Sequence, residues 1–275
     1  MTVCINGQFF SSDEAKISVF DHGLLYGDGV FDTIAAVNGK IWWLDEHLDR
    51  LLEGCNSILL KHPWSKSELI DLSKETFLRT NQLNGRIRIT ITRGVGDVPS
   101  YSIDSCKPNL IIFATPLDFP EESTYSKGLS LKSVYYSRVF PKVKNLSFLP
   151  SVIGTIDAKN TGFDDSVFVN FSNYITEGTS WNIFLLTDNK LITPGDSLLV
   201  GVTRNKVIEL ADSLGIIVEL SSVPLEALYS AQEVFITGTT KRIIGITRVD
   251  DFFINNGNIG KLTNKLFKEF RKVFY

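Results

Sequence analysis

The chain has 275 residues, enough for two modest domains with buried cores. Its 43% hydrophobic and 21% charged content is ordinary globular composition, and a net charge of -3 argues against nucleic acid or anionic lipid as a partner. Three cysteines (Cys4, Cys55, Cys106) without CxxC spacing argue against a disulfide framework and favour a reducing cytoplasm, and three scattered histidines (His22, His47, His62) argue against a His/Cys metal site.

The N-terminal MTVCINGQFF has no basic region followed by an apolar stretch, so no secretory signal is predicted; no apolar run approaches the length of a membrane span. Val30–Val37 and Ile41–Trp43 are predicted strands around Asn38-Gly39, a strong hairpin dipeptide. Leu44–Leu60 carries Leu44, Leu48, Leu51, Leu52, Cys55, Ile58 and Leu59, which is helical spacing. A second helix is predicted over Lys66–Thr80. Arg86–Thr92 alternates as a strand, and Asn109–Ala114 reads as a more deeply buried one. Pro116, Pro120 and the polar Glu121–Ser126 then mark a break. A small α+β domain (1–117), a linker (118–126) and a larger domain (127–275) are expected. Beyond the break the predicted elements alternate. Leu129–Tyr136 is a strand, Val152–Asn160 a helix, and Ser166–Phe171 and Ile183–Thr187 are strands, the second turning at Asp188-Asn189. Thr203–Leu214 is a helix stopped by Gly215, Ile216–Leu220 and Glu233–Thr237 are strands, and Lys261–Phe274 closes the chain as an amphipathic helix.

Two segments are built to receive an anion. Gly201-Val202-Thr203 opens a helix, where N–H groups without helical partners and the helix dipole favour a phosphate, although a plain N-cap by Thr203 explains the same residues. Thr237-Gly238-Thr239-Thr240 follows a strand and offers hydroxyls and a glycine, or simply a polar turn. Arg50, on the helix beginning near Leu44, can supply the cation that a phosphate requires, as can any solvated helix arginine. Lys144 sits in Val143-Lys144-Asn145-Leu146, before a helix. A lysine held among apolar groups gives up its proton more readily, as a Schiff-base nucleophile must. Lys142 is a rival, and the local residues leave the choice open. Glu177, in Ile175-Thr176-Glu177-Gly178, can face a pyridine nitrogen or be a turn residue between two strands.

Taken together, the chain resembles the class IV pyridoxal-phosphate aminotransferases. This family includes branched-chain and D-amino-acid aminotransferases, (R)-selective amine transaminases and aminodeoxychorismate lyase. The landmarks stand in family order: Tyr26-Gly27-Asp28-Gly29-Val30-Phe31, Glu46-His47-Leu48-Asp49-Arg50-Leu51, Thr92-Arg93-Gly94, Lys144-Asn145-Leu146, Thr176-Glu177-Gly178 with Asn182-Ile183-Phe184, Gly201-Val202-Thr203-Arg204, and Glu233-Val234-Phe235-Ile236-Thr237-Gly238-Thr239. The resemblance implies a smaller α+β domain, a larger domain with a β-barrel-like core, and pyridoxal 5'-phosphate lying between them. It implies Lys144, rather than Lys142, as the lysine that carries the cofactor, and Arg50, Val202, Thr203 and Thr239 as phosphate ligands. It also implies Glu177 as the acid at the pyridine nitrogen, and Tyr26 and Phe31 as pocket residues near a dimer interface. The implied activity moves an amino group between an amino acid and a 2-oxo acid. The alternative on the same cofactor is a lyase that forms 4-aminobenzoate and pyruvate from aminodeoxychorismate.

The substrate-facing motifs depart from the family. Phe31-Asp32-Thr33-Ile34-Ala35 stands where many branched-chain members continue as Phe-Glu-Gly-Ile-Arg, so the arginine is missing. D-amino-acid members place Arg and His after Thr-Arg-Gly to grip a carboxylate, yet no basic residue follows Gly94 before Lys107. After Thr239, the residues Thr240, Lys241 and Arg242 put two cations near the expected substrate site, and either is a candidate for carboxylate binding unless both project outward. Ser147 replaces an Asn common in lyase and D-amino-acid members.

Overall fold

A computed structural model describes residues 1–96 and 105–274, and the chain divides into two compact units. The first comprises Met1–Asp118 with Val143–Ser147; the second comprises Phe119–Lys142 and the chain from Phe148 onward. Within the expected linker (118–126), residues 118–121 are irregular and a short helix begins at Glu122. The stretch after Gly94, searched above for a carboxylate grip, lies outside the described residues from 97 to 104.

The first unit contains β1 (Thr2–Ile5), β2 (Gln8–Ser11), α1 (His22–Tyr26), β3 (Gly29–Val37), β4 (Lys40–Ile41), α2 (Leu44–Ser57), α3 (Lys66–Leu78), β5 (Gly85–Val95) and β6 (Lys107–Pro116). The six strands pair antiparallel in the order β2-β1-β6-β5-β3-β4. Asn38 and Gly39 both take positive φ, 53° and 78°, as a two-residue hairpin turn requires. The strand predicted to reach Trp43 ends at Ile41, because Trp43 adopts φ 54° at the start of α2. One face of the sheet meets α2 and α3. Val30, Ile34, Ile87, Ile89 and Ile91 pack there against Leu44, Leu48, Leu51 and Cys55. The period-2 alternation of β5 therefore sends Arg86 and Arg88 to the opposite face.

The second unit contains α4 (Glu122–Lys127), β7 (Leu129–Tyr135), α5 (Leu149–Asn160), β8 (Asp165–Val169), β9 (Tyr174–Gly178), β10 (Asn182–Thr187), β11 (Lys190–Pro194), α6 (Val202–Ser213), β12 (Val218–Ser221), β13 (Val223–Pro224), α7 (Leu225–Tyr229), β14 (Glu233–Gly238), β15 (Arg242–Val249), β16 (Phe252–Phe253) and α8 (Lys261–Phe274). Its mixed sheet runs β12-β11-β10-β14-β15-β7-β8-β9-β13, with β16 on β15. The β9 and β13 end returns beside β10 and β11, so the sheet nearly closes into a barrel. The interior is filled by Val167, Ile175, Ile183, Val234, Ile236, Ile244 and Ile246, among others. The strand predicted to reach Phe171 stops at Val169, because the Asn170 side chain accepts from the N–H groups of Ser172 and Tyr174 and turns the chain. Glu177 therefore lies within strand β9, not in the turn that its four local residues also allowed. The fold is mixed α+β with a barrel-like sheet, as expected. No helix among the described residues is long and apolar enough to cross a membrane.

Candidate active site

Lys144 is fixed by backbone before side chains matter. Its carbonyl accepts from the Phe31 N–H at 2.9 Å, the Leu146 N–H donates to the Gly29 carbonyl at 3.0 Å, and Asn145 forms an isolated bridge with Val30. Val143 is buried in the first unit's core. The sequence placed this segment in the larger domain; these contacts assign it to the smaller unit. Alternation then directs Lys144 away from that core, where its Nζ lies 4.8 Å from the centroid of the Phe31 ring. Lys144 is half-buried, whereas its rival Lys142 is exposed.

Arg50 stands on α2, on the side that meets β3. It donates to Asp32 through Nε (2.8 Å to Oδ2) and Nη2 (2.7 Å to Oδ1). Asp32 has no exposed surface, and its Oδ1 also accepts from the Thr33 N–H at 2.7 Å and meets His47 Nδ1 at 2.9 Å. Burial alone would push this carboxyl up, but Arg50 and His47 outweigh it and hold it well below the usual carboxylate range. Burial pushes the His47 imidazole down in spite of Asp32, so the neutral ring donates from Nδ1 to the carboxylate.

In the second unit, Asn182 brings the two anion-favouring turns together. It pairs across the sheet with Thr237 at the end of β14, and its Nδ2 donates to the Leu199 carbonyl at 2.8 Å, just ahead of α6. Its Oδ1 packs against Gly201 so closely that a Cβ there would lie 2.1 Å away, which requires glycine at this N-cap. No side chain among the described residues caps α6, so the first-turn N–H groups, Val202 and Thr203 among them, lie outside the helical hydrogen-bond ladder. The Thr203 and Thr237 hydroxyls are buried with no hydrogen-bond partner among the described residues. Thr239 lies in the turn that follows Thr237 and is half-buried. Arg204 serves the scaffold instead: it donates to the Pro194 carbonyl at 2.7 Å and to Thr193 at 3.2 Å, tying α6 to β11. Glu177 is 4% exposed, accepts from the Leu199 N–H at 3.2 Å and pairs with Arg138 Nε at 2.9 Å. Arg138 is absent from the family motifs quoted above; its only sequence signal is a cation in the segment ahead of Lys144.

The expected substrate residues divide. Phe31 is 4% exposed and lies beside Lys144, and Tyr26 closes α1 with its ring 5.0 Å from that of His22. Thr240 is in the β14–β15 turn. Lys241 donates to Asp165 at 3.2 Å, a buried carboxylate that also receives Trp181 and Thr179. Arg242 opens β15 in a left-handed conformation (φ 61°), with its guanidinium 3.4 Å from the centroid of Phe119 and 8% exposed. The two cations that the sequence offered for a carboxylate thus both have partners inside the second unit, and Arg242 points inward rather than out. A different cation stands near Lys144. Arg88 lies 3.7 Å from the centroid of the same Phe31 ring and is half-buried, with no carboxylate partner among the described residues. Burial and the neighbouring Arg86 work against its charge, and Asp32 offsets them only in part.

The chain is similar to known proteins along nearly its whole length. A protein of Methanocaldococcus jannaschii named as a branched-chain-amino-acid aminotransferase is 38% identical over 277 residues, covering 99% of this chain and 96% of its own length. The D-alanine aminotransferase of Staphylococcus epidermidis is 28% identical over 98% of this chain and 96% of its own. The crystal structure of the Escherichia coli branched-chain amino acid aminotransferase superposes with a TM-score of 0.93 at 26% identity, covering 99% of this chain and 94% of that one. The model of the amino-transferase class IV family matches residues 29–249, and the chain belongs to that family of transaminases.

Proposed function

We propose that this aminotransferase holds pyridoxal 5'-phosphate on Lys144 and moves an amino group from an amino acid to a 2-oxo acid. The observation that carries this reading is the pair of buried hydroxyls without partners, Thr203 and Thr237, beside an uncapped helix start. Buried polar atoms are almost always satisfied, and a phosphate supplies the missing acceptors for the hydroxyls and the α6 N–H groups together. The residues present fit the cofactor: Val202, Thr203 and Thr239 receive its phosphate with Thr237, and Arg50 balances its charge. When bound, pyridoxal phosphate supplies an electron sink for the bond broken at the amino acid's α-carbon. The amine of Lys144 would take the α-proton and return it at the cofactor's C4′ carbon, on the other side of the amino nitrogen. Glu177 keeps a proton on the ring nitrogen, with Arg138 behind its carboxylate. Phe31 excludes water from Lys144. The simplest check is absorbance: the purified protein, offered pyridoxal phosphate, gains a visible band that an amino donor discharges. A protein that stays colourless contradicts the reading. The greater identity to the relative named for branched-chain substrates makes L-leucine the first donor to test, ahead of D-alanine and L-glutamate.

Arg88 is assigned the substrate carboxylate in place of the missing motif arginine. A half-buried guanidinium that stacks on an aromatic face and has no carboxylate partner among the described residues gains roughly 1.5–3 kcal/mol from a charge-assisted pair. Arg88→Ala should raise KM for the 2-oxo acid roughly tenfold or more, with a smaller change in kcat. Unchanged KM values would remove Arg88 from the substrate site.

The protein acts in the cytoplasm as a homodimer. On α5, Leu149, Val152, Ile153 and Ile156 are all 44–68% exposed and fall at helical spacing, an apolar stripe that a second copy would cover. Light scattering at micromolar concentration should give twice the chain mass, and Ile153→Asp should shift it to the monomer. A parent protein that is monomeric at that concentration contradicts the assignment.

A further inference from the structure

We propose that Asp32, assisted by His47, is a positioning residue for the cofactor phosphate, acting through Arg50. The role rests on the reading of Arg50 as a phosphate ligand. Asp32 interrupts an otherwise apolar face: its neighbours on the same side of β3 are Val30 and Ile34, both in the core with Leu48 and Leu51 of α2. A carboxylate is costly there, and an apolar side chain of similar volume would serve stability as well or better. What the carboxylate adds is orientation. Its two oxygens take the Nε/Nη2 edge of Arg50 in a bidentate pair, which fixes both the plane and the rotation of the guanidinium. Asp32 is itself held by the Thr33 N–H and by His47, one turn before Arg50 on the same helix. Strand β3 and helix α2 therefore aim the cation together. Phe31, next to Asp32 on β3, donates its N–H to the Lys144 carbonyl and sets its ring beside Nζ. A shift of this strand would move the lysine and the phosphate cation as one body.

The role separates from a merely structural one because it concerns only the phosphate. Equilibrium titration of the apoprotein compares pyridoxal 5'-phosphate with pyridoxal, which lacks that group. The parent should prefer the phosphate ester strongly. Asp32→Asn should weaken the ester about tenfold and leave pyridoxal within about threefold of the parent. Asp32→Glu, which restores a carboxylate, should recover part of the loss. His47→Leu removes one support of Asp32 and should weaken the ester by a smaller factor, again sparing pyridoxal; it decides the matter if Asp32→Asn does not fold. A parent without preference overturns the reading of Arg50 and this role with it. A parent with the preference, and variants that keep it in full or weaken both ligands alike, overturns the role of Asp32 alone.

Discussion

Lys144→Ala should yield a folded protein whose transamination falls by at least about ten-thousandfold, the upper range for losing a positioned acid–base group. Folding should survive because the segment is anchored by main-chain bonds to Gly29 and Phe31 and by Val143, none of which the substitution touches. The contact of Nζ with Phe31 is on the order of 0.5–1 kcal/mol, too small to unfold a domain. Three measurements check the claim. Thermal melting should place the variant within a few degrees of the parent. Half-reactions with L-leucine should discharge the visible band of the parent only. Borohydride reduction should attach the cofactor to Lys144 of the parent and to no lysine of the variant. Lys142→Ala, at an exposed position two residues earlier, should behave as the parent. Turnover retained in Lys144→Ala, or lost in Lys142→Ala, would exchange the two roles.

Where period and turn chemistry dominate, the fold was legible in the residues. The Asn38-Gly39 hairpin and the apolar faces of α2 and α8 follow local rules, and the structure has them close to the expected bounds. Very short strands that depend on long-range pairing were not legible. Strands β1 and β2 are four residues each and owe their conformation to pairing with each other and, for β1, with β6, more than 100 positions away. Strand β15 begins with Arg242 in a left-handed conformation, which no local pattern announces for an arginine. The site shows the same division. Glycines and threonines at the start of α6 carry a local signal, and the structure shows why Gly201 must be glycine. Arg88 and Arg138 carry none. Arg88 matters because alternation turns it away from Ile87 and Ile89, and its neighbour Phe31 comes from another strand. Arg138 matters because the chain brings it onto Glu177, 39 positions later. The same limit applied to Lys144. Its place in the smaller unit depends on a bridge to β3 that only the folded chain reveals.

Glu177→Gln should separate two functions of one carboxylate. Gln has nearly the same shape and still accepts from the Leu199 N–H, so β9 and the approach to α6 should persist. What disappears is the negative charge. Arg138, whose side chain is 14% exposed, then faces a neutral amide, and leaving one member of a buried pair uncompensated costs on the order of 3–5 kcal/mol. Independently, the ring nitrogen of the proposed cofactor loses the group that keeps it protonated. Catalysis should fall roughly a hundredfold, comparable to the loss of one fixed electrostatic contact at a developing charge. The double variant Glu177→Gln with Arg138→Leu distinguishes the two. Removing the stranded cation should restore most of the melting temperature, because the penalty belongs to the pair. It should restore none of the rate, because no carboxylate returns to hold the proton. Recovery of rate together with stability would mean that Glu177 serves only as the counter-ion of Arg138, and the acid at the pyridine nitrogen would have to be sought elsewhere in the chain.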